Sequence, residues 1–360
     1  MNGVDSGDDD AEAEVPGGGA DADPEIEGDV LPPRDLVAVA DRDGPAPPLA
    51  LSAAAIARAR GYASASRAAS TRAKYEAAWD SFAQWCRAHG HASLPAHPGT
   101  VAVFLAEEAA RGCSPSWVAL KMAAIGWVHR RAGKLAPHKA AGGVAILDVL
   151  AGIRRAHGKP PNRKNAACGD VVRDVLRAIE GEDLRAVRDR ALLAFGLASC
   201  LRRSELVALR LDDLTRVPEG LCVTITRSKT DQESKGAVIA VPEGRRLRPV
   251  AHLDAWIARA GVADGFLFRQ LSRSGERALP SPMSDRAIAR VVQARVAAAG
   301  YDPALFAGHS LRAGFLTSAT RAGASVFKMQ EQSRHKSIQV LSTYVRDAHI
   351  FHDHAGKDFL

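Results

Sequence analysis

The sequence predicts a mainly α protein of two compact units, the second carrying one small antiparallel sheet. Three observations predict it. Alanine and arginine, both good helix formers, are abundant along the 360 residues. Apolar residues recur at helical spacing between punctuated ends in one segment after another. Only two neighbouring stretches, LCVTITRS and KGAVIAVP, show the alternation and β-branching of strands. The length suffices for two buried cores.

The elements follow in chain order. The head, DSGDDDAEAEVPGGGADADPEIEGD, has almost no large apolar residue and cannot bury enough surface to offset its ordering entropy. With the Pro-rich PAPPLALS it makes residues 1–64 an expected disordered head and linker. Helical patterning begins near Ser70. Tyr75, Ala78, Trp79, Phe82, Trp85 and Cys86 form one stripe, with Ser70 or Thr71 as cap and Gly90 as stop. TVAVFLAEEAARG reads as a second helix. The third has Ser114 as N-cap, Pro115 in its first turn and Gly133 past its end. VAILDVLAGIRRAHG is the fourth, and together they make a helical unit over residues 65–158.

KPPNRKNAA is polar and basic, an expected linker over residues 159–168. The second unit, residues 169–360, opens with the helices DVVRDVLRAIE and RAVRDRALLAFGLASC. The two strands follow, joined by the turn KTDQES. Four more helices close it: RRLRPVAHLDAWIARAG, SDRAIARVVQARVAAAG, SLRAGFLTSATRAG and SVFKMQEQSR. There is no internal repeat.

Charge narrows the function. The net charge is +7, yet residues 1–48 hold fourteen Asp or Glu against two Arg, a net of −12, so the rest carries +19. That basic remainder suits a polyanionic partner or a solvated basic surface. Cys86, Cys113, Cys168, Cys200 and Cys222 are scattered and never paired as CxxC, against a disulfide framework or zinc site. No metal cluster at ligand spacing and no GxxxxGK[ST] loop is present, so no cofactor is expected. With no signal pattern and no membrane-spanning apolar run, the expected setting is the cytoplasm, on the nucleoid.

The second unit also places polar residues where a plain core needs none. Arg202 precedes Glu205 by three residues at the start of a short helix. Lys229 lies in the turn between the strands. His309 and Arg312 are one helical turn apart, and His335 is followed nine residues later by Tyr344. Singly, each has a plain account: a surface ion pair, a solvated turn residue, a helix-terminal histidine, an arginine stem over the core, a packed phenol ring.

As an ordered set they resemble the tyrosine recombinases, or phage integrases. That family's signature is Arg in R-x-x-E, a Lys in a β-turn, H-x-x-R, His or Trp, and Tyr nine residues on. Here it reads R-R-S-E, S-K-T, H-S-L-R, then His335 to Tyr344. AAWDSFAQWCRAHG and GWVHRRAG also look like the core-binding domain of Cre recombinase, so the resemblance spans roughly residues 65–350. It implies a helical, SAM-like core-binding domain followed by an α+β catalytic domain with a small antiparallel sheet.

What the resemblance implies agrees with the chemistry. Attack on a phosphodiester builds negative charge on its non-bridging oxygens, which Arg202 and Arg312 would clamp and His335 would touch as a further donor. Tyr344 would be the nucleophile, His309 would help remove its proton, Lys229 would protonate the leaving 5′ oxygen, and Glu205 would orient the cluster. Many relatives read Leu-Gly-His where this chain reads Gln-Ser-Arg-His, so Arg334 is an added cation, either a DNA-backbone contact or simply exposed. For DNA reading the match to Cre points to Lys74 and Tyr75 on the first unit, with Arg72 and Lys121 nearby, and to Arg286 for a bidentate guanine contact. The implied partner is double-stranded DNA with inverted-repeat target sites, bound by a homo-tetramer on two sites. The apolar residues of the tail AHIFHDHAGKDFL would dock in a neighbouring copy. Two other readings use similar residues: a type IB topoisomerase, and a catalytically silent DNA-binding protein of the same fold.

Overall fold

A computed structural model describes residues 52–159, 164–226 and 236–348. The chain forms two compact units, residues 1–161 and 162–360.

The first unit is helical: α1 (Ala53–Ala65), α2 (Ala69–Ala88), α3 (Pro98–Ala110), α4 (Pro115–Arg131) and α5 (Val144–His157). Helix α1 lies, but for its last residue, inside the stretch expected to be disordered linker. Its run AAAIARARGYASA has high helix propensity, and the Ser52 hydroxyl caps it by accepting from the Ala55 N–H. Helix α2 begins at Ala69 with no side-chain cap, so neither Ser70 nor Thr71 serves. Ser114 does cap α4, accepting from the Trp117 N–H. The α2 stripe becomes core: Phe82, Trp85 and Cys86 meet Phe104 and Leu105 of α3, Val118 and Ile125 of α4, and Ile146 and Leu150 of α5.

The second unit holds α6 (Gly169–Ala178), α7 (Leu184–Ser199) and α8 (Arg203–Ala208). A sheet follows, β1 (Leu214–Val217), β2 (Gly220–Ile225) and β3 (Ala237–Pro242), in that spatial order and antiparallel throughout. Then come α9 (Pro249–Ala260), a hairpin of β4 (Arg269–Leu271) and β5 (Ala278–Pro282), α10 (Asp285–Ala298), α11 (Ser310–Arg321), α12 (Val326–Ser333) and α13 (Ile338–Ala348). Strands β2 and β3 match the two alternating stretches, whereas β1 and the β4–β5 hairpin add pairings beyond the expected sheet. Helix α7 is buried nearly all round and is the hub of the core, with Leu192, Leu193 and Phe195 packed among Leu253 and Trp256 of α9 and Val223 and Val241 of the sheet.

The expected linker to residue 168 is already bound to the second unit from Lys164. The Asn165 N–H donates to the Leu305 carbonyl, the Ala167 N–H to that of Ser310, and the Gly169 N–H to the Ser318 hydroxyl. Gly314 permits this: a Cβ there would lie 1.9 Å from the Ala167 carbonyl oxygen.

Candidate active site

The site is assembled where α7, α8, α11, α12 and α13 converge. Helix α7 ends at Cys200, a buried residue in the left-handed region at φ 54°. The reversal sets up Arg202 as the residue before α8. Glu205, third in that helix, folds back on it: one carboxylate oxygen accepts the Arg202 N–H at 2.8 Å, and the other takes Nη1 at 2.9 Å.

Arg312 sits in the first turn of α11 and is 2% exposed. A buried cation needs acceptors, and here they are main-chain carbonyls: Cys200 at 2.6 Å from Nη1, and Ser333 from Nη2. Two helix ends are thus tied to one guanidinium. His335 follows α12, its Nδ1 2.7 Å from the Ser333 hydroxyl and its ring nitrogens 3.3 and 3.4 Å from Arg312 Nη2. Burial, then Arg312, Arg202, His309 and Arg334, push its pKa down to about 3. Without a bound anion the ring is therefore neutral near pH 7.

Tyr344 lies on α13 with its ring centroid 6.4 Å from that of His335. Its ring packs on the small cluster of Cys200, Leu316, Met329 and Leu341, which fixes the helix that carries it. His309 occupies the cap position of α11 and is exposed, near enough for its charge to bear on His335.

The partner of one residue escaped the sequence reading. Arg334, expected to touch DNA or solvent, is only 12% exposed in its side chain and pairs with Glu205. Glu205 is therefore shared by two arginines. Burial alone would raise its pKa, but Arg334 and Arg202 hold it below the usual carboxylate range. The cluster can cradle a tetrahedral oxyanion: Arg202 and Arg312 supply the cationic donors, Arg334 balances the one carboxylate, and a phenol stands at its edge.

The family model described as the phage integrase family matches residues 169–349. This chain belongs to the phage integrase family. It is a tyrosine recombinase, a DNA strand-exchanging enzyme. It is 32% identical over 292 residues to an integrase/recombinase xerD homolog of Selenomonas ruminantium, covering 81% of this chain and 85% of that protein. In fold it is similar to XerH site-specific recombinase bound to a palindromic difH substrate in a post-cleavage complex. That likeness has a TM-score of 0.51 at 14% identity and covers 70% of this chain and 69% of the other.

The remaining expected site residues of the integrase fare differently. Lys229 and the apolar tail residues lie outside the described residues. Arg286 is exposed in the first turn of α10, just past the Ser284 cap. Lys74 is exposed on α2. Arg72 is half-buried, with its Nε enclosed and without a protein acceptor. Tyr75 is half-buried, its ring edge-on to Trp127 at 5.7 Å and under Arg67. Lys121 is a correction. It is buried at 6% exposure, its ammonium on Glu108 and 3.3 Å from the Ser81 hydroxyl, because α3 presents a buried carboxylate that needs a cation. Among the described residues no helix is long and apolar enough to cross a membrane, and no group of His, Cys, Asp and Glu could hold a metal.

Proposed function

We propose that this integrase is a site-specific recombinase that cleaves and rejoins DNA through a 3′-phosphotyrosyl intermediate on Tyr344. The observation that carries the reading is the convergence of Arg202, Arg312 and His335 on one small volume beside the Tyr344 ring. Arg202 and Arg312 bind the non-bridging oxygens, and His335 donates to one of them. The Tyr344 hydroxyl gives up its proton, with His309 assisting, and the phenolate oxygen attacks phosphorus. The bond from phosphorus to the 5′ oxygen breaks as Lys229 protonates that oxygen. One phosphodiester replaces another, so its energy is kept. A 5′ hydroxyl from a partner strand then reverses the step and reseals the DNA, with neither ATP nor a metal needed to drive it.

Arg286 and Lys74 contribute to sequence reading, with Arg72 and Tyr75 beside Lys74. The active assembly is four copies on two DNA sites of inverted-repeat form, working on the nucleoid in the cytoplasm. The test is to express the wild type and Tyr344→Phe in cells, lyse in hot detergent, purify the protein and sequence the DNA still attached. Attached DNA in the wild type alone, sharing one inverted-repeat sequence, is the expected result. Scattered sequences would make the enzyme a topoisomerase, and an adduct on Tyr344→Phe would remove Tyr344 as nucleophile.

A further inference from the structure

We propose that Arg334 is a positioning residue that sets the phosphate cradle of this integrase by tying the end of α12 to the start of α8 through Glu205. The inference rests on Arg202 and His335 being phosphate-binding groups.

The backbone makes the first argument. Arg334 caps α12 at φ 57° and ψ 40°, with its N–H on the Gln330 carbonyl at 2.6 Å. This left-handed region favours glycine, so a residue with a Cβ is there at some cost. The reversal decides where the next residue goes, and the next residue is His335. Its own carbonyl is gripped by Gln330 Nε2 at 2.9 Å.

The side chain makes the second. Arg334 Nη2 sits on the Glu205 oxygen that also accepts the Arg202 N–H, while the other oxygen holds Arg202 Nη1. One buried carboxylate therefore joins the residue before α8 to the residue after α12. Arg202 alone would already neutralise Glu205, so the second arginine adds placement rather than charge balance. Its Nε is enclosed, with no protein acceptor. Because Nη2 is committed to Glu205, Arg334 acts on the cradle through its neighbours. Arg334 is also foremost among the groups holding the Glu205 carboxyl in its charged form.

The test uses full-length Arg334→Gly, Arg334→Lys, Glu205→Gln and the double Arg334→Gly/Glu205→Gln, each run through the detergent capture beside a melting curve and binding to a random-sequence duplex. Glycine suits the left-handed cap but leaves Glu205 with Arg202 alone, so Arg334→Gly should melt below the wild type yet stay folded at the assay temperature and bind the random duplex much as the wild type does. Its captured DNA should fall about 10- to 100-fold, the range expected for misplacing a reacting constellation. Arg334→Lys should recover part of that loss. The double variant should lose no more than the worse single, because both residues act as one unit. Wild-type capture by Arg334→Gly, or additive losses in the double, would overturn the proposal. If the wild type captures no more than Tyr344→Phe, the nucleophile reading has failed, and a second measurement decides on Arg334. In 15N-histidine protein the ring signals of His335, identified by their loss in His335→Gln, should shift or broaden at neutral pH in Arg334→Gly. Unmoved His335 signals would refute the positioning role whatever the capture shows.

Discussion

Replacing Lys121 by Met separates two incompatible accounts of that residue. On the surface of α4 it would meet DNA. In the structure it is 6% exposed against a Glu108 that is 5% exposed, and it lies over the Phe104 ring at 5.4 Å. Removing it leaves Glu108 with Arg111 at 3.1 Å and the Cys113 thiol at 3.2 Å. Breaking a buried pair costs about 3–5 kcal/mol. The surviving Arg111 contact places this case near the lower end, about 3 kcal/mol. A loss of that size lowers the melting temperature by about 10 °C in a domain of ordinary size. Glu108→Leu added to Lys121→Met should restore most of it, since an apolar pair leaves no stranded charge. The DNA arm is equally quantitative. A phosphate contact contributes about 0.9 to the slope of log affinity against log salt. Calorimetry of the full chain and anisotropy titrations of a random-sequence duplex over a salt series read both quantities. Lys121→Met should melt early with an unchanged slope. A variant that melts with the wild type while the slope drops by about one would refute the buried-pair account.

Three further outcomes follow from the same geometry. Arg312→Lys should abolish DNA capture, because one ammonium cannot reach the Cys200 and Ser333 carbonyls and also present a fork to phosphate; capture at even a tenth of the wild-type level would argue against a bidentate role. Gly314→Ala should destabilise the second unit by about 1–3 kcal/mol or more, as the new methyl meets the Ala167 carbonyl, and urea titration reads it. His335 has a folded pKa depressed from the usual 6.5 to about 3, so the folded state binds fewer protons than the unfolded one in that window. Its contribution is present above pH 6.5 and lost as pH falls toward 3, so His335→Gln should lose less stability than the wild type across that interval in acid-unfolding measurements. Equal acid sensitivity of the two proteins would show that His335 already titrates normally.

What the sequence discloses depends on whether the deciding contact is local. The stripe from Tyr75 to Cys86 is readable because helical spacing alone sorts its residues, and Phe82, Trp85 and Cys86 are indeed core. Ser114 and Pro115 announce α4 within four residues of chain. The candidate site is legible for a different reason: R-R-S-E, H-S-L-R and the nine residues from His335 to Tyr344 are fixed spacings along the chain, so their order survives without coordinates. Helix α1 hides because AAAIARARGYASA has propensity but no apolar stripe. Strand β5, ALPSP, hides behind two prolines that argue against a strand unless it lies at an edge. Lys121 deceives because its partner stands on another helix, where no spacing rule can place it. Arg334 is the extreme case. Its meaning needs a left-handed backbone and a carboxylate 129 positions away in the chain, neither visible in the letters Q-S-R-H.

The charges of the cluster explain why so much structure surrounds it. Arg202, Arg312 and Arg334 face one Glu205, and His335 is kept neutral, so the folded protein holds an excess of buried positive charge before DNA arrives. That excess is costly in a poorly solvated site, and it is tolerated only because main-chain carbonyls of Cys200 and Ser333 take up the Arg312 donors. A phosphodiester brings one negative charge, and its transition state spreads more onto the same oxygens. A cradle already organised around cations gains most where the negative charge is greatest, which is the transition state and not the bound substrate. A charged histidine would add attraction for the ground state as well, whereas a neutral ring, held in place by the Ser333 hydroxyl and the Arg312 guanidinium, contributes direction. The burial that depresses His335 and the ion pair that keeps Glu205 ionised therefore fit one end: fixed dipoles and guanidiniums, flanked by the turns at Cys200 and Arg334, whose positions need not change in the attack proposed for Tyr344.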